Sequence, residues 1–96
     1  MPDTTAQSPA TLPERLTLEQ AVPTLAQLKQ ALATQPGPQV VIDAAPLQEF
    51  DTSAVAVLLE LRRLLQPQGR TLLIQHAPPR LHDLVTLYGV QELLPV

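Results

Sequence analysis

Few side chains in this sequence could carry covalent or metal chemistry, so each can be weighed singly. There is no cysteine, which excludes thiolate nucleophiles, thiolate metal ligands and disulfides. The histidines are His76 and His82. His82-Asp83 has the form of a metal-binding dipeptide, but a closed zinc site takes about four donors and only His76 is left to join it. An exposed helical histidine is the simpler reading of His82. Gly37, Gly69 and Gly89 are far apart in sequence. No glycine-rich loop can cradle a phosphate, and each glycine closes an element instead. Asp43 ends an apolar run, a place where α/β enzymes do put acids. No second titrating group lies near it in sequence, so it reads as a loop hydrogen-bonding residue. No nucleophile–base pair remains. The expectation is a chain with no catalytic residue, no cofactor and no metal.

The constellation with a credible function is Asp51-Thr52-Ser53. Each of these residues could cap a helix, because each side-chain oxygen can accept from a free N–H of the first turn. Plain capping would account for them. The functional alternative is that Thr52 lies on an accessible helix start, as a partner contact or as a phosphoacceptor. A phosphate there would add about −1.5 to −2 charges. The helix dipole would favour that charge and Asp51 would repel it.

The elements that must position this trio can be read around it. Val40-Val41-Ile42-Asp43-Ala44 is a β-branched apolar run, a buried strand by pattern. Pro46 and Gln48-Glu49 break it. A helix then runs through Leu65 until Gln66-Pro67-Gln68-Gly69 stops it. Thr71-Leu72-Leu73-Ile74 is a second strand. Strand, helix, strand with short connections is a βαβ unit with a right-handed crossover. At about 100° per residue, Ala54, Val57, Leu58, Leu61, Leu64 and Leu65 share the sheet-facing side of this helix. The opposite side carries Thr52, Ala56, Leu59, Arg63 and Gln66, with Val55 on its flank. So aliphatic a back points to a protein-contact surface. The alternative is that Leu59 and Val55 are ordinary scattered surface aliphatics.

Outside this unit, Met1 to Pro9 reads as a flexible tail and residues 10–96 as a single domain. Ala10 to Leu16 reads as one short edge strand, because Pro13 lacks a ladder donor. Thr17 and Gln20 have capping-box spacing, and residues 18–33 repeat apolar positions at helical period. Pro23 either kinks that helix or moves its regular start to Thr24. Pro36-Gly37-Pro38 ends it. Pro79 opens a third helix whose apolar face is Leu81, Leu84, Val85 and Tyr88, and Gly89 closes it. Leu93-Leu94 forms either a last short strand or a packed tail. The expected fold class is α/β: about three helices, mainly on one face of about four mixed strands.

Composition narrows the function further. In 96 residues, 45% are hydrophobic and 16% charged, which suits one small packed domain. Phe50 and Tyr88 are the only aromatics, so stacking platforms for nucleic acid are missing. Net charge is -3 without a basic run, which removes a phosphate-backbone footprint. No apolar run reaches the roughly 20 residues of a membrane span, and the start lacks a signal peptide's apolar segment. A soluble cytoplasmic domain is expected, with no direct membrane insertion.

The strand Val40-Val41-Ile42-Asp43 followed by Phe50-Asp51-Thr52-Ser53-Ala54-Val55-Ala56-Val57-Leu58-Leu59 resembles the signature of STAS domains. The likeness spans about residues 10–96. In that family the first hydroxyl after the Asp is the regulatory phosphorylation site of the anti-sigma-factor antagonists, and Thr52 holds that position. Ala54 stands where the family usually has Gly, which weighs against the antagonist branch. The short N-terminal region implies that the usual opening hairpin is reduced to one strand. The ending Leu84-Val85-Thr86-Leu87-Tyr88-Gly89-Val90 with Leu93-Leu94-Pro95 looks most like the STAS subunits of phospholipid-transport ABC complexes. That resemblance implies a non-catalytic accessory subunit, held on the inner face of the inner membrane through its partners, an ATPase and a membrane permease. The ATPase would bind at Thr52, Val55, Ala56, Leu59 and Arg63. The alternative it leaves open is an anti-sigma-factor antagonist switched by phosphorylation at Thr52.

Overall fold

A computed structural model describes residues 10–94. Met1 to Pro9, read as a tail, lie outside the described residues, as do Pro95 and Val96. In chain order the elements are β1 (Ala10–Thr11), β2 (Arg15–Leu16), α1 (Leu18–Ala33), β3 (Gln39–Asp43), β4 (Glu49–Phe50), α2 (Thr52–Leu65), β5 (Thr71–Gln75) and α3 (Pro79–Leu87). A 3₁₀ turn over Gln66–Gln68 ends α2.

The strands form a three-stranded sheet of order β1-β3-β5 and a separate β2-β4 pair. All three pairings are parallel. The α/β class and the helix count agree with the sequence reading. Among the described residues there are five strands where about four were expected, and every pairing is parallel where a mixed sheet was expected. Parallel neighbours need crossover helices, and β1-α1-β3 and β3-α2-β5 supply them. Two right-handed crossovers in the same direction put α1 and α2 on one face of the sheet, where they pack on each other. Val40 and Ile42 are fully buried, while their neighbours Gln39, Val41 and Asp43 alternate to the less covered face.

The single strand expected over Ala10 to Leu16 is two. Proline cannot donate to a ladder, and the chain leaves the sheet at Pro13 after the Leu12 N–H reaches the Asp43 carbonyl at 3.0 Å. It pairs again two residues later, Arg15 with Glu49 and Leu16 with Phe50. The Glu14 carbonyl accepts from the N–H groups of both Gln48 and Glu49, at 2.8 and 2.9 Å. Glu49, read as a strand breaker, is therefore a strand residue. An Arg15–Glu49 ion pair at 3.1 Å straps the outside of the ladder, and Leu16 and Phe50 are buried beneath it. Each of these strands feeds a helix almost at once, so the ladder sets the starts of α1 and α2 side by side.

Helix α1 begins at Leu18, not at Thr24, and passes through the exposed Pro23. The Gln20 side chain caps it by accepting from the Thr17 N–H at 3.0 Å. At its far end the Gln35 amide takes the place of a strand. It accepts from the Val41 N–H and donates to the Val41 carbonyl, both at 2.9 Å. β1 is too short to do this, since it pairs only with Ile42 and Asp43.

In α3, Leu81 and Val85 are buried and Leu84 is half-buried. Tyr88, expected on that apolar face, is 54% exposed, because the helix has already ended there and Tyr88 is its C-cap. Gly89 follows at φ 68, the left-handed conformation that only glycine adopts without strain. Leu93 and Leu94 sit in a turn, not in a strand, and Leu94 is buried as a packed tail.

Candidate functional site

The start of α2 is built by one residue of the trio. Asp51 is extended and its carboxylate accepts from the Ser53 N–H at 2.8 Å. That bond, before any other cause, holds the Asp51 carboxyl below the ordinary carboxylate range. The backbone of Leu18 adds to the same effect, a consequence of the β2-β4 ladder bringing the two helix starts together. Asp51 alone caps α2. Thr52 is the first helical residue and is exposed, and its hydroxyl has no hydrogen-bond partner among the described residues. Ser53 is half-buried.

Below Thr52, Ala56 and Arg63 are exposed and Leu59 is half-buried. Arg63 lies against Glu60 through two bonds, at 3.0 and 2.6 Å. The guanidinium lowers the Glu60 pKa and the carboxylate raises that of Arg63. Val55 corrects the expected contact set. It is 4% exposed and belongs to the core. The reason is that α2 packs on α3 as well as on the sheet, so its buried arc is wider than one sheet-facing stripe. Val55, about 100° round from the buried Ala54, falls inside that arc. Leu64, expected to face the sheet, is half-buried. It lines a groove of about 310 Å³ between the far ends of α1 and α2.

Arg80 is a residue of this site that the sequence did not single out. Its guanidinium donates to the Phe50 carbonyl at 3.3 Å and lies 5.1 Å from the centre of the Phe50 ring. It ties the start of α3 to the strand that delivers Asp51 and Thr52, by a cation–π contact as well as a hydrogen bond. A signal existed: arginine in the first turn opposes the helix dipole, so it needs another reason to be there.

Asp43 does what was expected of it, accepting from the Ala45 N–H at 2.9 Å. It also meets the titrating group missing from its own neighbourhood. The His76 ring nitrogen Nδ1 lies 3.0 Å from the Asp43 carboxylate, across the carboxyl ends of β3 and β5. The Ala45 N–H first, and His76 second, hold the Asp43 carboxyl below its usual pKa. His76 has φ 59, which brings it over that strand end. His82 is exposed on α3. Among the described residues no group of three His, Cys, Asp or Glu comes together to hold a metal ion.

Asp51 and Asp43 both have folded pKa values below their unfolded ones. Their contributions to stability are therefore present above about pH 4 and are lost as pH falls through the lowered folded values. Asn caps a helix about as well as Asp. Asp51→Asn should thus keep nearly the wild-type melting temperature at pH 7 and lose less of it in acid. Melting temperatures taken from pH 7 to pH 2.5 check this. A variant with the wild-type acid profile would show that Asp51 titration does not contribute.

A family model described as "Mlab, STAS domain" matches residues 4–95. The chain belongs to this family. A search of curated proteins returns no match. In this STAS domain Thr52 is exposed at the start of α2. No helix among the described residues is long and apolar enough to cross a membrane.

Proposed function

We propose that this STAS domain is a non-catalytic accessory subunit of a phospholipid-transport ABC complex that maintains outer-membrane lipid asymmetry. It docks on the MlaF-like ATPase of that complex through the outer face of α2. It thereby supports assembly or activity of the transporter and sits on the cytoplasmic side of the inner membrane through that partner. The observation that supports this reading is the division of labour at the start of α2. Asp51 caps the helix by itself, and Thr52 is left with no structural task at the head of a stripe of Ala56, Leu59 and Arg63.

The test is equilibrium binding of the purified ATPase subunit to wild type and to Thr52→Glu, after circular dichroism has confirmed the fold of each. A carboxylate driven into a mostly apolar contact goes unpaired. Thr52→Glu should weaken the complex by about tenfold or more, and Arg63→Glu should weaken it too by reversing a rim charge. Thr52→Ala should remain folded and lose less affinity. A folded Thr52→Glu protein with wild-type affinity would remove this face from the interface and overturn the proposal.

A further inference from the structure

Two of the most exposed apolar side chains in the described structure stand beside Thr52, on a different helix. Leu18 and Val22 are each 77% exposed and lie one turn apart on α1, on the same face. That row continues down α1 through the half-buried Leu25 to Lys29 and Ala33. Its direction is fixed at both ends. Lys29 and Ala33 line the groove whose other wall is Leu61, Leu64 and Leu65 of α2, so the row looks toward α2. At the other end the β2-β4 ladder sets Leu16 against Phe50, which puts Leu18 level with Thr52.

Scattered exposed aliphatics are ordinary. An adjacent pair that borders a second apolar stripe makes a continuous patch, and such patches mark association surfaces. The valley between the helices also changes character along its length. Its upper end sets the aliphatic Leu18 and Val22 beside Thr52 and the capping carboxylate of Asp51, and its lower end carries Lys29 and Arg63 with Glu60 between them. That end is locally basic in a chain whose net charge is -3.

We propose that Leu18 and Val22 are the second half of the docking surface, so that the ATPase seats in the valley between α1 and α2 rather than on α2 alone. The partner chemistry that suits it is an apolar ridge between the helix starts with carboxylates opposite Lys29 and Arg63. This inference rests on the docking reading of α2.

The experiment measures equilibrium binding of the purified ATPase subunit to Leu18→Gln/Val22→Gln, Lys29→Glu, Leu87→Gln and Thr52→Glu, each confirmed folded. Gln is a good helix former, and Val22→Gln alone serves if the double variant does not fold. Leu87 is the control, 74% exposed on α3 and away from the valley. The double variant is expected to weaken binding by about tenfold, and Lys29→Glu to weaken it more at low salt than at high salt. Leu87→Gln should bind as wild type. Loss with Thr52→Glu but wild-type binding by the α1 variants overturns this inference and leaves the α2 reading standing. Loss with the α1 variants but not with Thr52→Glu overturns the α2 reading and, with it, the seating of the partner in the valley. Equal loss with Leu87→Gln, or no loss with any variant, overturns the inference.

Discussion

Leu61→Ala should destabilise the protein by about 2–5 kcal/mol, while Leu59→Ala, two residues away on the same helix, should cost about 1 kcal/mol or less. The contrast comes from helical phase. Leu61 is 1% exposed and sits in the layer of α2 that packs on the sheet and on α1. Truncating it leaves a cavity in that layer, so a cavity cost adds to the lost transfer energy. Leu59 lies round the helix from it, is half-buried, and only borders the core. Its truncation exposes little that was hidden. Urea melts of the two variants decide the matter: equal midpoints would mean that the phase of α2 is wrong, and with it the outward stripe from Thr52 to Arg63.

Arg70→Met should cost about 2–3 kcal/mol, since hydrogen bonds to a charged group are worth more than neutral ones. The Arg70 guanidinium donates to the carbonyls of Leu32, Gln35 and Gly37, at 3.3, 2.5 and 2.9 Å. Leu32 lies in the last turn of α1, where its carbonyl also accepts the Gln35 N–H at 3.2 Å and the helix dipole is negative. One side chain at the entry to β5 thus satisfies the end of α1 and the loop that leads into β3. Met keeps most of the aliphatic stem and removes every donor. Arg70→Lys keeps the charge but replaces a planar fork with a single ammonium, which cannot span three carbonyls. It should fall between wild type and Arg70→Met. If Arg70→Met melts like wild type, the three bonds contribute nothing net and the joint between α1 and β3 is held by apolar packing alone.

The lower reach of α2 shows what a single sequence determines. The hydrophobic period put Ala54, Val57, Leu58, Leu61, Leu64 and Leu65 on the sheet-facing side; five of the six are buried and Leu64 is half-buried. The same holds for the capping spacing of Thr17 and Gln20, the turn at Gly89 and, within one residue at each end, the strand read over Val40 to Ala44 and found over Gln39–Asp43. Each of these is a local rule: residues a few positions apart share a face, a cap or a turn, and the rule needs no knowledge of the rest of the chain. The resemblance carried by Asp51-Thr52-Ser53 and the strand before it was legible for the same reason, because a motif is local.

Whatever depended on distant neighbours was not legible. Val55 is in the core because α3 packs beside α2, and nothing near Val55 in sequence says so. The β2-β4 pair is two residues long on each side, too short for any periodicity, and it forms only because Pro13 and the turn after Asp43 break two adjacent strands at the same level. His76 reaches Asp43, Arg80 reaches Phe50 and Arg70 reaches three carbonyls across separations of 33, 30 and at least 33 residues. Side-chain hydrogen bonds of that span leave no spacing to read. The sequence by itself determined the three helices, the strands β3 and β5, most of the buried face of α2 and the family. The tertiary structure decided which flank of α2 is covered, which residue alone caps it, and that Leu18 and Val22 of another helix stand beside Thr52, because contacts between elements are set by how the chain closes on itself.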